Sequence, residues 1–136
     1  MDLVKALKIS ASGLRAQTMR MRVSAENMAN ADSMGAGAGA DPYRRKTISF
    51  KNVLDKTINA RTVAVSQVGV DKTDFEQRYD PGHPSADATG YVKLPNVKSM
   101  VEMMDIREAQ RSYEANLGAI EAAKNMLSRA IDLLRG

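Results

Sequence analysis

The chain has 136 residues, enough for one domain or a small domain with an extended part, and its 43% hydrophobic content is ordinary for globular protein. Only 4% is aromatic, with no Trp, while nine Met are present, a balance that favours helix packing on helix over a core of large rings. The formal charge of +4 demands no nucleic-acid partner, the absence of Cys excludes disulfides and thiolate sites, and no apolar run approaches the roughly 18 residues of a membrane span, so the chain reads as not integral to a bilayer.

Asp2 is placed to cap a first helix reaching about Ala29. In it Leu3, Leu7, Ser10, Leu14, Met21, Ser24 and Met28 alternate steps of three and four, with Gln17 as the polar member, giving a heptad seam that needs a partner. Lys8, Arg15 and Arg22 repeat every seven residues as one basic stripe, either a solvated face or a face for an acidic neighbour. The charges among residues 2–8 break any apolar run of a secretory signal, so no cleavable signal is expected and export would need another route.

The run Gly35-Ala36-Gly37-Ala38-Gly39-Ala40 reads as a flexible link; it lacks the lysine and hydroxyl residue of a phosphate loop. From Asp41 to Leu94 short, weakly apolar strands alternate with turns. One starts near Tyr43 and shares Ile48 and Phe50 on a face, Val63 and Val65 share another, and Phe75, Gln77 and Tyr79 a third. Asp80-Pro81-Gly82-His83-Pro84 is a dense turn, and Tyr91 to Leu94 a last short strand.

Asn96 is the expected N-cap of a second helix over Val97 to about Leu134. Its seam is Ile106, Ala109, Tyr113, Asn116, Ile120, Ala123, Leu127, Ala130 and Leu134. Small residues cluster at Ala115, Gly118, Ala119, Ala122 and Ala123, and at Ala11, Ser12, Gly13 and Ala16 in the first helix, where backbones can approach closely. The expected fold is mainly α: long N- and C-terminal helices forming a coiled-coil-like pair (1–32 and 95–136) around a middle segment of short β-strands and extended loops (33–94).

Little of this points to chemistry. His83 is the single histidine, in a turn, and without a second His or a Cys the usual metal ligands are missing; no cofactor, catalytic or metal site is expected. Arg44-Arg45-Lys46 is the densest basic cluster, but alternation in a strand would split it and no aromatic platform accompanies it, so inter-subunit contacts are preferred over nucleic acid.

Four stretches carry a family resemblance: Ser10 to Gln17 running into Ala25-Glu26-Asn27-Met28-Ala29-Asn30-Ala31-Asp32-Ser33; Asp41-Pro42-Tyr43-Arg44-Arg45-Lys46; Tyr79-Asp80-Pro81-Gly82-His83-Pro84 through Gly90-Tyr91-Val92; and Leu94-Pro95-Asn96-Val97 with Glu102-Met103-Met104-Asp105 and Arg111 to Asn116. Together they resemble the axial proteins of the bacterial flagellum, and among them the proximal rod proteins of the FlgC type. The resemblance implies a structural, non-enzymatic subunit of a helical tube that transmits torque and encloses an export channel. It also implies passage through the flagellar type III export apparatus, location in the basal body across the periplasm, and as partners the chain itself, other rod proteins, the rod-base adaptor and the membrane-ring protein. Leu3, Leu7, Leu14, Met21, Asn27, Met28, Asn30, Ile106, Tyr113, Asn116, Ile120, Leu127 and Leu134 are then the expected helix-pair and assembly residues. For Asn27 and Asn30 the role is an amide hydrogen bond between helices or subunits, with helix-end capping as the alternative. Tyr43, Arg44, Arg45, Lys46, Tyr79, Asp80, His83 and Tyr91 are the expected inter-subunit contacts of the middle segment. The rival readings are a soluble cytosolic helical adaptor forming a coiled-coil dimer and a nucleic-acid binder.

Overall fold

A computed structural model describes residues 2–136. Its elements run α1 (Leu3–Ala29), β1 (Lys46–Asp55), β2 (Ala60–Val70), β3 (Glu76–Tyr79), β4 (Tyr91–Leu94) and α2 (Ser99–Arg135). Asp2 caps α1, its carboxylate accepting from the backbone N–H groups of Val4 and Lys5 at 3.1 and 3.3 Å. Asn30 closes the helix, its own N–H returning to Glu26 and Asn27 carbonyls.

Asn96 does not cap α2. The helix starts two residues past the expected point, after Lys98, which offers no side-chain cap. The Asn96 amide is engaged elsewhere: its oxygen accepts from Arg45 N–H at 2.7 Å, and its nitrogen donates to the Asp71 and Thr73 carbonyls. With its oxygen turned to Arg45 and its nitrogen to the β2–β3 connection, the side chain is directed away from the helix end it would have capped.

The two helices pack antiparallel, since α1 positions 13, 20 and 27 meet α2 positions 116, 105 and 102 in reverse order. Gly13 lies directly against α2, where a Cβ would stand 2.8 Å from Asn116 Nδ2. On α2 the side toward α1 follows the heptad through Ala123: Ala109 and Ala123 are buried, and Ile106, Tyr113, Asn116 and Ile120 half-buried.

On α1 the deepest residues, Ser12, Ala16, Val23, Ser24 and Asn27, lie mostly to one side of the heptad seam, whose Leu3, Leu7, Leu14, Met21 and Met28 are half-buried. The reason is that α1 is covered twice, by α2 and by the β1–β2 hairpin. The most enclosed positions fall between the two contacts.

That hairpin is longer than the brief strands expected from the sequence. β1 and β2 have 10 and 11 residues and pair antiparallel from Lys46↔Val70 to Asp55↔Ala60, with a bulge that leaves Ser66 unmatched between Ser49↔Gln67 and Phe50↔Val65. The Asp55 carboxylate accepts from the Thr57 N–H, and Asn59 takes a positive φ of 48° to close the turn. Most of the hairpin is exposed, so cross-strand pairing rather than burial organises it, and the apolar alternation that marks a buried strand is faint. β3 and β4 form a second small antiparallel pair, Glu76↔Leu94 to Tyr79↔Tyr91.

Candidate functional site

A polar junction joins α1, α2 and the root of the hairpin. Its centre is Asn27, fully buried, with every hydrogen-bonding position occupied. Its Nδ2 donates to the Lys46 carbonyl at 2.9 Å and to Glu102 Oε2 at 3.2 Å. Its Oδ1 accepts from Lys46 N–H at 2.8 Å and from the Tyr43 hydroxyl at 2.9 Å. Lys46 opens β1, so one helix side chain substitutes for a neighbouring strand there.

Glu102, also fully buried, sits in the first turn of α2, where the helix dipole favours a negative charge. Its second oxygen accepts from Arg45 Nε, and Arg45 also faces Asp71 at 3.6 Å and Asp105 at 3.5 Å. Burial works against the Arg45 charge, yet Glu102, Asp71 and Asp105 outweigh it and hold the guanidinium above its ordinary value. Arg20 extends the network to Asp105 at 3.0 Å and Glu108 at 3.2 Å. A buried carboxylate left without its cation costs about 3–5 kcal/mol in general, so such a network stands or falls as a unit.

The basic cluster closes within the chain. Arg44 donates to the Asp71 and Thr73 carbonyls and stacks 4.2 Å from the Phe75 ring centre, Arg45 meets Glu102, and Lys46 pairs with Glu26. Where the sequence suggests acidic groups of a neighbour as partners, the structure supplies partners from the same subunit. The nucleic-acid reading loses the Arg44, Arg45 and Lys46 part of its free charge by the same contacts, while Arg15 and Arg22 on the α1 stripe stay exposed. Asn30 likewise stays local: its amide donates to the Glu26 carbonyl and its oxygen accepts from Ser33, which is helix-end capping and not a bond to another helix.

The remaining middle-segment residues gather at the β3–β4 turn. Tyr79 and Tyr91 meet edge to face with ring centres 5.3 Å apart, and both are exposed. Gly90 takes φ +86° beneath them, where a Cβ would stand 2.9 Å from the Tyr79 ring. Asp80 accepts through its carbonyl from His83 N–H, and His83 Nδ1 accepts from Ser85 N–H at 3.0 Å. Ser85 then fastens the Gly-Ala run, donating to the Gly35 carbonyl at 2.6 Å and accepting from Gly39 N–H. The expected flexible link is therefore pinned in the folded subunit.

Glu102 and Ser85 were not legible as site residues. For Glu102 a signal existed: stepping back from Ile106 by four residues places it in the α2 seam, and a carboxylate in a seam requires a buried partner. Ser85 carried none, because its partners are backbone atoms 46 and 50 positions away in a glycine-rich run.

Beyond Ala123 the α2 seam continues with no cover: Leu127 and Ile131 are exposed, and Leu133 and Leu134 are 83% and 88% exposed. The small residues Ala115, Gly118, Ala119 and Ala122 also face outward. Among the described residues no helix is long and apolar enough to cross a membrane.

The sequence that builds this helix pair and its hairpin arm has relatives among known proteins. Residues 88–133, which hold β4 and most of α2, match the family described as flagellar basal body rod FlgEFG protein, C-terminal. The chain is 50% identical over 130 residues to the flagellar basal-body rod protein FlgC of Agrobacterium fabrum, covering 96% of this chain and 94% of that protein. It is 39% identical to FlgC of Bacillus subtilis over 94% of this chain and 95% of the relative, and 38% identical to FlgC of Salmonella typhimurium over 98% of each. The chain belongs to the FlgC family of flagellar basal-body rod proteins. As a FlgC-family protein it is a structural rod subunit, and the family offers no support for a cytosolic adaptor.

Proposed function

We propose that this FlgC-family chain builds the proximal rod by pairing its terminal helices into a coiled-coil-like inner layer, which surrounds the export channel and carries torque to the hook. The observation that supports this most is surface area. The chain exposes 9286 Å², whereas a compact monomer of 14.8 kDa exposes about 7000 Å². The excess exceeds the roughly 1600 Å² of a standard interface. Exposed apolar side chains of α2, among them Met100, Met104, Leu133 and Leu134, belong to it, and burying them against neighbours supplies the stability that the small internal core does not.

In this reading residues 1–32 and 95–136 form the inner part and 33–94 the outer arm. Leu127 and Leu134 are covered by adjoining subunits, and Tyr79 and Tyr91 lie at contacts with a neighbour. The partners are other copies, other rod proteins, the rod-base adaptor and the membrane-ring protein. The subunit passes the flagellar type III export apparatus and resides in the periplasm-spanning rod. Quantitative mass spectrometry of detergent-extracted hook–basal bodies tests the reading: the chain should be present in fixed ratio to the other rod proteins, and its absence from basal bodies of motile cells would overturn it.

A further inference from the structure

The basic stripe on α1 has an acidic counterpart on α2. Arg15 and Arg22 are exposed and engage in no ion pair among the described residues, whereas Lys8, the third member, is taken up by Thr57 at the hairpin turn. Glu114 and Glu121 on α2 are likewise exposed and in no ion pair among the described residues. Each pair spans seven residues, about 10 Å along a helix, so their charges match in spacing.

Shape agrees with charge. Between Arg15 and Arg22 the α1 surface carries Thr18, a small exposed residue, and Ala25 follows on the same side. Between Glu114 and Glu121 stands Leu117, 40% exposed. A leucine flanked by two carboxylates thus complements a small threonine flanked by two guanidiniums. Arg111 and Lys124 lie to either side of the acidic pair, which makes the strip narrow and penalises a slipped register.

The two stripes cannot meet within one subunit. Two residues turn an α-helix by about 200°, so Arg15 and Arg22, two positions past the α2-facing Gly13 and Arg20, point away from α2. Glu114 and Glu121 precede Asn116 and Ala123, which face α1, by the same two residues and point away from α1. Complementary patches on opposite faces generate a head-to-tail interface that propagates into a ring or helix, and not a closed two-fold dimer.

We infer that the Arg15–Thr18–Arg22 strip of one copy docks on the Glu114–Leu117–Glu121 strip of the next, as the lateral contact between helix pairs; this rests on the rod reading above. The chain has no native Cys, so engineered thiols report this contact without background. In basal bodies from cells carrying Thr18→Cys with Leu117→Cys, oxidation should yield a ladder at multiples of the subunit mass, while either single variant yields none. Monomer alone, or adducts to a different rod protein, would overturn the contact.

A second measurement covers the case in which the cysteine pair fails to assemble. Arg15→Glu with Arg22→Glu should abolish swimming, and adding Glu114→Arg with Glu121→Arg should restore at least half of wild-type swimming. Full motility of the first variant, or no restoration in the second, would also overturn it. Failure of the rod reading would look different, since the wild-type chain would then be missing from basal bodies.

Discussion

Asn27 and Asn30 stand one turn apart in α1 and are equivalent to a reader of the sequence, yet their surroundings differ in kind. Asn27, itself fully buried, holds Lys46 on both backbone groups, Tyr43 and the buried Glu102. Asn30 caps its own helix. Leaving buried groups unmatched costs about 1–3 kcal/mol each, so Asn27→Leu should lower the unfolding free energy of the purified chain by at least about 3 kcal/mol. Asn30→Ala should cost about 1 kcal/mol or less. Urea titration of the two variants checks the ranking, and equal losses would deny the junction its role.

Ionisation at single residues sets the pH range. The carboxyls of Asp55, Asp71 and Asp87 are held below the usual aspartate range, chiefly by the Thr57 hydroxyl, the Thr73 backbone N–H and the Thr89 hydroxyl. Folded values below the unfolded one of about 3.9 mean that their stabilisation is present above about pH 4 and is lost as pH falls through the folded values. At the alkaline end the hydrogen bond to Glu26 raises Lys46, and burial followed by Glu26 raises Tyr43. Their contributions are complete below about pH 10 and disappear as pH rises past the folded values. Thermal melts should therefore show a plateau from about pH 5 to 9 with a fall on each side. Replacing the three aspartates by Asn should flatten the acid limb, and an unchanged limb would contradict this origin.

At the scale of elements, α2 is one helix with two environments. Up to Ala123 its seam lies on α1, and after that Leu127, Ile131 and Leu134 meet solvent. A substitution in the second part should leave the isolated subunit almost unchanged and act only in the polymer. Leu127→Asp is expected to abolish motility, because it places a charge in apolar packing between subunits, while the far-ultraviolet circular dichroism of the purified chain stays near wild type. Normal swimming would show that this stretch of seam is not an interface. The elements differ in how openly the sequence announces them. The helices repeat their apolar residues over many turns and α1 begins at Asp2 as its side chain requires, whereas the start of α2 depends on what else holds Asn96. The hairpin is stabilised by pairing across its strands, so its length leaves only a faint trace in hydrophobic alternation.

For the molecule as a whole, the buried aliphatic core among the described residues is Ala16, Val23, Ile58, Val92, Ala109 and Ala123, half of them alanines. A core of that size leaves the ends of the helix pair weakly held until neighbours cover them. Hydrogen exchange should find the amides beyond Ala123 and the first turns of α1 open in dilute monomer, with protection greatest near the Asn27 junction and gained throughout in basal bodies. Fully protected termini in the monomer would remove the link between assembly and helix stability. On the export route proposed above, the same marginal stability would let the subunit travel through a narrow channel before it folds.

The sequence by itself determined the two terminal helices, their need for partners, the poverty of large apolar side chains and the family, since each is written in periodicity, composition or contiguous motifs. Tertiary structure alone decided that Arg44, Arg45 and Lys46 are satisfied inside the subunit, that the Gly-Ala run is pinned by Ser85, and that α1 is shared between α2 and the hairpin. These depend on groups tens of residues apart being brought within hydrogen-bond distance, and no local pattern records which partner a side chain will meet once the chain has folded.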